Sequence, residues 1–209
     1  MGKCLIFCAG GFDGLAVPIE PDDYLLAADG GLRHLEHLGR QPHGILGDFD
    51  SLGYVPEGAA VFPVEKDDTD SMLALRRGLN LGYREFVIYG GLDGHRLDHT
   101  IANLQALQFL ADRGGRGYLV GRDYIVTVIQ NETLDFSAEC EGILSLFCLG
   151  PDAQGVTLEN LKYPLENGSL TGSFPLGVSN HFINKPARIT VRNGSILALW
   201  DRKNGFPKR

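Results

Sequence analysis

The sequence predicts an α/β chain: an N-terminal three-layer α/β domain with a mostly parallel sheet, followed by a C-terminal all-β sandwich. Three observations predict it. Short, continuous apolar runs recur through the N-terminal part of the chain. Helical stripes lie between some of them. Near residue 123 both features give way to strand-like segments separated by turn residues, with no helical stripe. The expected boundary divides residues 1–123 from residues 124–209.

The expected strands are CLIFCAG (4–10), YLLAADGG (24–31), GILGDFDS (44–51), AAVFPVE (59–65), EFVIYGG (85–91) and GYLVG (117–121). Their apolar residues run together instead of alternating, as strands of a sheet covered on both faces require. One helix is expected from Leu97, with Ile101, Leu104, Leu107 and Leu110 on its packed face and Gly114–Gly115 ending it. A shorter one carries Met72, Leu75 and Leu79 and stops near Gly82. In the second domain, YIVTVIQ, ETLDFSA, GILSLFCLG, GVTLENLKYPL, GSLTGSF, ARITVRNG and SILALWD read as strands, and RNGS (192–195) as a hairpin turn.

Composition narrows the function classes. Apolar residues make up 44% of the 209, enough for a packed core. A net charge of −7 argues against a general nucleic-acid binder, although local cations or metals could still hold a polyphosphate. Cys4, Cys8, Cys140 and Cys148 show no C-x-x-C spacing, so a zinc site is not expected. The opening residues do not read as a signal peptide, and no run approaches the ~20 apolar residues of a membrane span. A soluble, cytoplasmic protein is the expectation.

The chemistry is concentrated in aspartates. Asp29 closes the second expected strand, Asp48 and Asp50 the third, and Asp67, Asp68 and Asp70 the fourth; Asp98 follows the fifth. In an open α/β sheet, ligands bind beyond the carboxyl ends of the strands, so these carboxylates can converge across long sequence separations. Convergent carboxylates repel unless a proton or a cation intervenes. Oxygen ligands without a cysteine or histidine cluster select Mg²⁺, which usually binds through a few carboxylates and substrate phosphates. AGG (9–11), DGG (29–31) and GG (90–91) fall at strand ends, where glycine lets backbone N–H groups approach phosphate. Arg96, before a helix start, is placed to clamp a phosphate, with an ion pair to a neighbouring Asp as the alternative. His99 either orients a phosphate or satisfies a helix terminus. The residues alone thus reach a two-domain, Mg²⁺-dependent nucleotide phosphotransfer enzyme.

GDFDS (47–51), KDDTD (66–70), GLDGHRLDH (91–99) with Asn103 one turn on, LKYPL (161–165) and GVSN (177–180) occur in that order. Together they resemble the thiamine pyrophosphokinase (thiamin diphosphokinase) family. The resemblance implies a catalytic α/β domain that binds ATP, a β-sandwich that binds thiamine, and a homodimer with active sites between subunits. It implies Mg²⁺-dependent transfer of the pyrophosphoryl group of ATP to the thiamine hydroxyl, giving AMP and thiamine diphosphate. By position, Asp48, Asp50, Asp67 and Asp70 would hold Mg²⁺ and the triphosphate, with Asp98 also catalytic and Asp70 orienting or deprotonating the hydroxyl. Asp29, Thr69, Arg96, His99 and Asn103 would hold the nucleotide, Thr69 also capping its helix. Ser179, Asn180 and Tyr163 would contact thiamine, with Trp200 a further aromatic candidate for its cationic ring.

Two features depart from the family pattern: His95 stands where a second glycine is expected, and Asp93 adds a negative charge near the expected phosphates. GDFDS is also similar to the D-x-D of haloacid-dehalogenase-like phosphatases and of metal-dependent glycosyltransferases, although Leu52 departs from the phosphatase pattern. A binding protein without turnover is the non-enzymatic alternative.

Overall fold

The structure is a computed structural model that describes residues 2–49, 52–63 and 68–208. The chain divides into two compact units, Met1–Arg122 and Asp123–Arg209.

The first unit is a parallel sheet with helices. Its strands are β1 (Cys4–Phe7), β2 (Tyr24–Ala28), β3 (Gly44–Gly47), β4 (Ala60–Val61), β5 (Glu85–Tyr89) and β6 (Arg116–Val120), in the order β6-β5-β1-β2-β3-β4. Every pairing is parallel, from Glu85↔Arg116 through Leu5↔Val87 and Leu5↔Leu25 to Leu46↔Ala60. β1 is central and buried at every residue, as its continuous apolar run requires. β4 departs from expectation: it spans two residues, and both are exposed. It is the edge strand, with one neighbour, and the following Pro63 has no N–H for a ladder.

Among the described residues three α-helices accompany this sheet: α1 (Leu32–His37), α2 (Asp70–Asn80) and α3 (Leu97–Ala111). α1 is too short for the sequence to show a stripe. It follows a 3-10 turn at Asp29–Gly31, where a side chain on Gly31 would come within 1.8 Å of the Phe7 carbonyl oxygen. Glycine thus lets the turn lie against the end of β1. α2 starts at the Thr69 cap, whose hydroxyl accepts the Met72 N–H at 3.3 Å.

The buried faces of α2 and α3 differ from the expected stripes. They are Ser71, Ala74, Leu75 and Gly78 in α2, and Asn103, Ala106, Leu107 and Leu110 in α3. A polar residue occupies the packed face of each helix, and the two bond each other (Ser71 to Asn103, 2.6 Å). With Asn103 inward, Leu97 and Ile101 turn outward, 71% and 51% exposed. α3 stops where Gly115 returns its N–H to the Leu110 carbonyl, in agreement with the expected glycine end.

The second unit has two antiparallel sheets. One has the order β12 (Asn180–His181), β9 (Ile143–Phe147), β14 (Ser195–Asp201), β7 (Tyr124–Gln130); the other β11 (Leu165–Leu170), β10 (Ala153–Glu159), β13 (Ala187–Thr190), β8 (Thr133–Phe136). Phe136 of the second sheet meets Trp200 of the first edge-on at 5.3 Å, and Phe182 packs on Phe136 at 5.1 Å. Trp200 is fully buried and its indole N–H donates to the Gly205 carbonyl at 2.9 Å. It belongs to the core, which removes it as an aromatic platform.

RNGS is not a hairpin. β13 pairs with β10 and β8, whereas β14 pairs with β7 and β9, so the turn carries the chain from one sheet to the other. Its backbone is held from outside: Asn193 exchanges bonds with Gln154, and the Gly194 N–H donates to the Asn131 side chain at 2.9 Å. A local turn signal does not determine which strands then pair.

Candidate active site

The carboxylates meet at the carboxyl edge of the parallel sheet. The register sets Ala28 against Leu46, so Asp29 and Gly47 follow as neighbours. A Cβ on Gly47 would lie 3.0 Å from Asp29 Cα, and Gly47 has a φ of 152°. Glycine lets the β3 end close onto Asp29 and delivers Asp48 beside it. Asp29 (φ 49°) and Phe49 (φ 62°) are themselves left-handed, a rare state for an aromatic residue. α2 packs on β1, β2 and β3, bringing Asp70 to the same edge at the first position of its helix. The result is one carboxylate oxygen from each of Asp29, Asp48 and Asp70, all within 4.8 Å of one another.

Magnitude decides what this arrangement needs. Two unit charges at that spacing repel by about 3 kcal/mol at an effective dielectric near 20, so three ionised carboxylates would carry on the order of 10 kcal/mol. That rivals the whole stability of an ordinary domain. A cation bound among them would offset it. The donor set, carboxylate oxygens alone, fits Mg²⁺.

Cys8, the residue after β1, registers the same field. Its thiol is pushed up to about 12, by burial first and by the negative charge of Asp70 second. Cys4 is likewise pushed up to about 12, by burial and then by Asp23.

Asp48 and Asp70 occupy the expected edge. Asp29, which the sequence groups with the nucleotide ligands, contributes its oxygen to the same cluster. Asp50 and Asp67 lie outside the described residues. Asp98 is not in this cluster: on the first turn of α3 it receives bonds from Arg96, at 3.0 and 3.3 Å from Nε and 2.6 Å from Nη2. The hydrogen bond from Arg96 holds its carboxyl down at about 2. Arg96 therefore forms the ion pair that was the alternative to phosphate binding, and both partners are exposed. His99 is exposed on the same turn. Asp68 bonds Arg76 at 3.0 Å. Asp93 is exposed and accepts the Arg122 backbone N–H.

Nor do the glycines of residues 9–11 offer free N–H groups to a phosphate. Gly10 donates to the Gly90 carbonyl and Gly11 to the Asp93 carbonyl, both at 3.0 Å, so the two loops hold each other. Asn103 is buried and donates to the Gly91 carbonyl at 2.8 Å. Ser71, which sequence reading missed, links it to α2. The available signal was its spacing: Ser71 falls one turn before Leu75, on the packed stripe.

In the second unit, Asn180 is buried and committed to the backbone. It accepts the N–H groups of Tyr163 and His181, both at 2.9 Å, and donates to the Tyr163 carbonyl at 2.8 Å. Tyr163, whose backbone is thereby fixed, is 57% exposed, and Lys162 Nζ lies 5.4 Å from its ring centre. Ser179 is exposed, has a φ of 59°, and donates its backbone N–H to Ser145 at 3.0 Å. Nearby runs a cleft of about 180 Å³, lined by Leu146, Cys148, Leu170, Phe174 and Gly177 among others.

Residues 18–116 match the family model for the thiamin pyrophosphokinase catalytic domain, and residues 131–196 match that for its vitamin B1 binding domain. The chain belongs to the thiamine pyrophosphokinase family. It is an enzyme of that class, a thiamine diphosphokinase. It is 27% identical to thiamine pyrophosphokinase of Bacillus subtilis over 183 residues, covering 83% of this chain and 85% of that protein. Among solved structures, a thiamin pyrophosphokinase family protein from Enterococcus faecalis superimposes with a TM-score of 0.79 at 28% identity, covering 96% of this chain and 99% of that one. The yeast enzyme shares the fold at 15% identity, with a TM-score of 0.71 over 97% of this chain and 87% of its own.

Proposed function

We propose that Asp29, Asp48 and Asp70 hold Mg²⁺ and, through it, the phosphates of ATP, with Asp50 and Asp67 completing the set. The observation that carries this is the meeting of three carboxylate oxygens within 4.8 Å at the carboxyl edge of the parallel sheet. Bound there, Mg²⁺ supplies charge neutralisation for the phosphate oxygens and the AMP leaving group. The chain's own residues position the reactants. Asp70 orients the thiamine hydroxyl and accepts its proton as oxygen attacks the β-phosphorus; AMP leaves with the bridging electrons. Nucleotide phosphates compete with Asp98 for the Arg96 guanidinium at the start of α3, beside His99. Asn103 acts through the Gly91 loop.

Tyr163 offers its exposed ring to the cationic thiazolium, Ser179 a polar contact, and Asn180 the scaffold that holds Tyr163. The 180 Å³ cleft falls short of the roughly 300–1,000 Å³ of ordinary ligand sites. Phe174, Leu176 and Val178, all exposed beside Ser179, would be covered by a second copy of the chain, which supports a homodimer with shared sites. Four buried free thiols suit a reducing compartment, in keeping with a cytoplasmic location; among the described residues no helix is long and apolar enough to cross a membrane.

Phosphorus NMR of the protein with ATP, Mg²⁺ and thiamine tests the reading. AMP and thiamine diphosphate appearing together, and only with Mg²⁺, is the expected result. ADP with thiamine monophosphate would refute pyrophosphoryl transfer, and free phosphate with a phosphorylated Asp48 would establish the phosphatase alternative. A monomer by light scattering would exclude the shared site.

A further inference from the structure

The start of α2 carries one of the proposed metal-holding carboxylates, and the residue after it is a serine pointing into the protein. Ser71 is 9% exposed and Asn103 6%. Between them runs a chain of hydrogen bonds whose direction can be settled by counting protons. The Gly91 carbonyl only accepts, so the Asn103 amide must donate to it, which turns Oδ1 toward Ser71. Ser71 has one hydroxyl proton and gives it to that oxygen at 2.6 Å. Thr69 Oγ1 lies 3.0 Å from Ser71 Oγ, so the Thr69 proton goes to Ser71. Thr69 in turn accepts the Met72 N–H. Every proton in the series is assigned, and none is left on Thr69 for a phosphate. The series ties the first turn of α2, with Asp70 in it, to α3 and to the glycine loop after β5.

We propose that Ser71 is a positioning residue: its hydroxyl fixes the Asp70 carboxylate relative to the Gly91 loop and so sets the cation affinity of the site. This rests on the reading of Asp29, Asp48 and Asp70 as the cation-holding group. Groups that orient metal ligands commonly change affinity by tens of fold when removed. Alanine at position 71 would leave Asn103 Oδ1 without its donor and Thr69 without its acceptor, cutting this tie between the first turn of α2 and Asn103.

The experiment titrates Mn²⁺ onto the full-length protein without nucleotide, reading free Mn²⁺ by electron paramagnetic resonance. Wild type, Ser71→Ala, Ser71→Cys and Ser71→Thr are compared, with KM for MgATP and for thiamine alongside. Ser71→Ala should weaken Mn²⁺ binding about 10-fold or more and raise KM for MgATP in parallel, with KM for thiamine unchanged. Ser71→Cys, nearly isosteric but a weak donor, should do the same and carries the test if the alanine variant fails to fold. Ser71→Thr, which keeps the hydroxyl, should recover most of the affinity. A lower melting temperature with unchanged Mn²⁺ affinity and unchanged KM for MgATP would reduce Ser71 to a packing role and overturn the proposal. A wild-type protein that binds no Mn²⁺ would overturn the carboxylate reading itself, a result distinct from tight binding that Ser71 does not affect.

Discussion

The two units place their candidate residues in opposite ways. In the α/β unit, Asp29, Asp48 and Asp70 are brought together by topology: parallel strands end at one edge, and a helix packed on three of them delivers the third carboxylate. In the β unit the candidates lie within 163–180, and one buried side chain, Asn180, holds the segment by three backbone bonds. The first site is set by the sheet and gathers like charges; the second is set by local hydrogen bonds, those of Asn180 and the Ser179–Ser145 bond, with Lys162 beside the Tyr163 ring. Damage at the first should therefore cost chemistry without structure, whereas damage at the second should cost both.

Asp70→Asn gives the largest expected effect. Turnover should fall by about 10³-fold, because a carboxylate facing the reacting phosphates is lost. The Mg²⁺-free melting temperature should hold or rise, since one of three mutually repelling charges is gone. AMP release and thermal melting measure the two sides. A variant that melts well below wild type would show that the carboxylates support the fold, which breaks the contrast.

Asn180→Ala comes next. It strips partners from buried backbone groups and should destabilise the protein by about 2–3 kcal/mol in urea unfolding. KM for thiamine should rise, with KM for MgATP unchanged; equal effects on both substrates would contradict the division of labour. Thr69→Ala removes a helix cap and should cost about 1 kcal/mol by the same unfolding measurement.

The smallest effect concerns the exposed pair at α3. The bond from Arg96 holds Asp98 down at about 2. A carboxylate depressed on folding contributes stability above its ordinary range and loses it as pH falls through the folded value. The Arg96→Ala variant should therefore show Asp98 titrating near pH 4 by carbon NMR, with little change in the melting temperature at pH 7. A midpoint still near 2 would mean that another group holds the carboxylate.

How much of this was legible follows the same division. Continuous apolar runs such as CLIF and FVIY reported buried parallel strands, because a strand covered on both faces has no polar side to show. Aspartates at the ends of those runs reported the edge where Asp29, Asp48 and Asp70 meet. The packing roles of Ser71 and Asn103 were passed over, because a stripe sought as apolar skips the serine or asparagine within it; on α3, Leu107 and Leu110 face inward as expected, whereas Ile101 does not. RNGS misled because turn chemistry is local whereas strand partners are chosen by the sheet. In the β unit the pattern showed strands, yet Tyr163, Ser179 and Asn180 came only from family resemblance, since nothing in periodicity separates a clamp asparagine from a turn asparagine.

The thiols at the two ends of the central strand give the protein a built-in clock. Cys4 and Cys8 lie on or next to the central strand, are almost entirely shielded, and ionise only near 12. Only a thiolate attacks an alkylating reagent, so at neutral pH these two sulfurs stay silent in the closed molecule. Their slow labelling then times the rare openings of β1, the strand on which the whole parallel sheet is centred. Any compound that binds only the closed form should slow that clock in proportion to its occupancy, so substrate and cation binding can be read with a thiol reagent and no turnover at all.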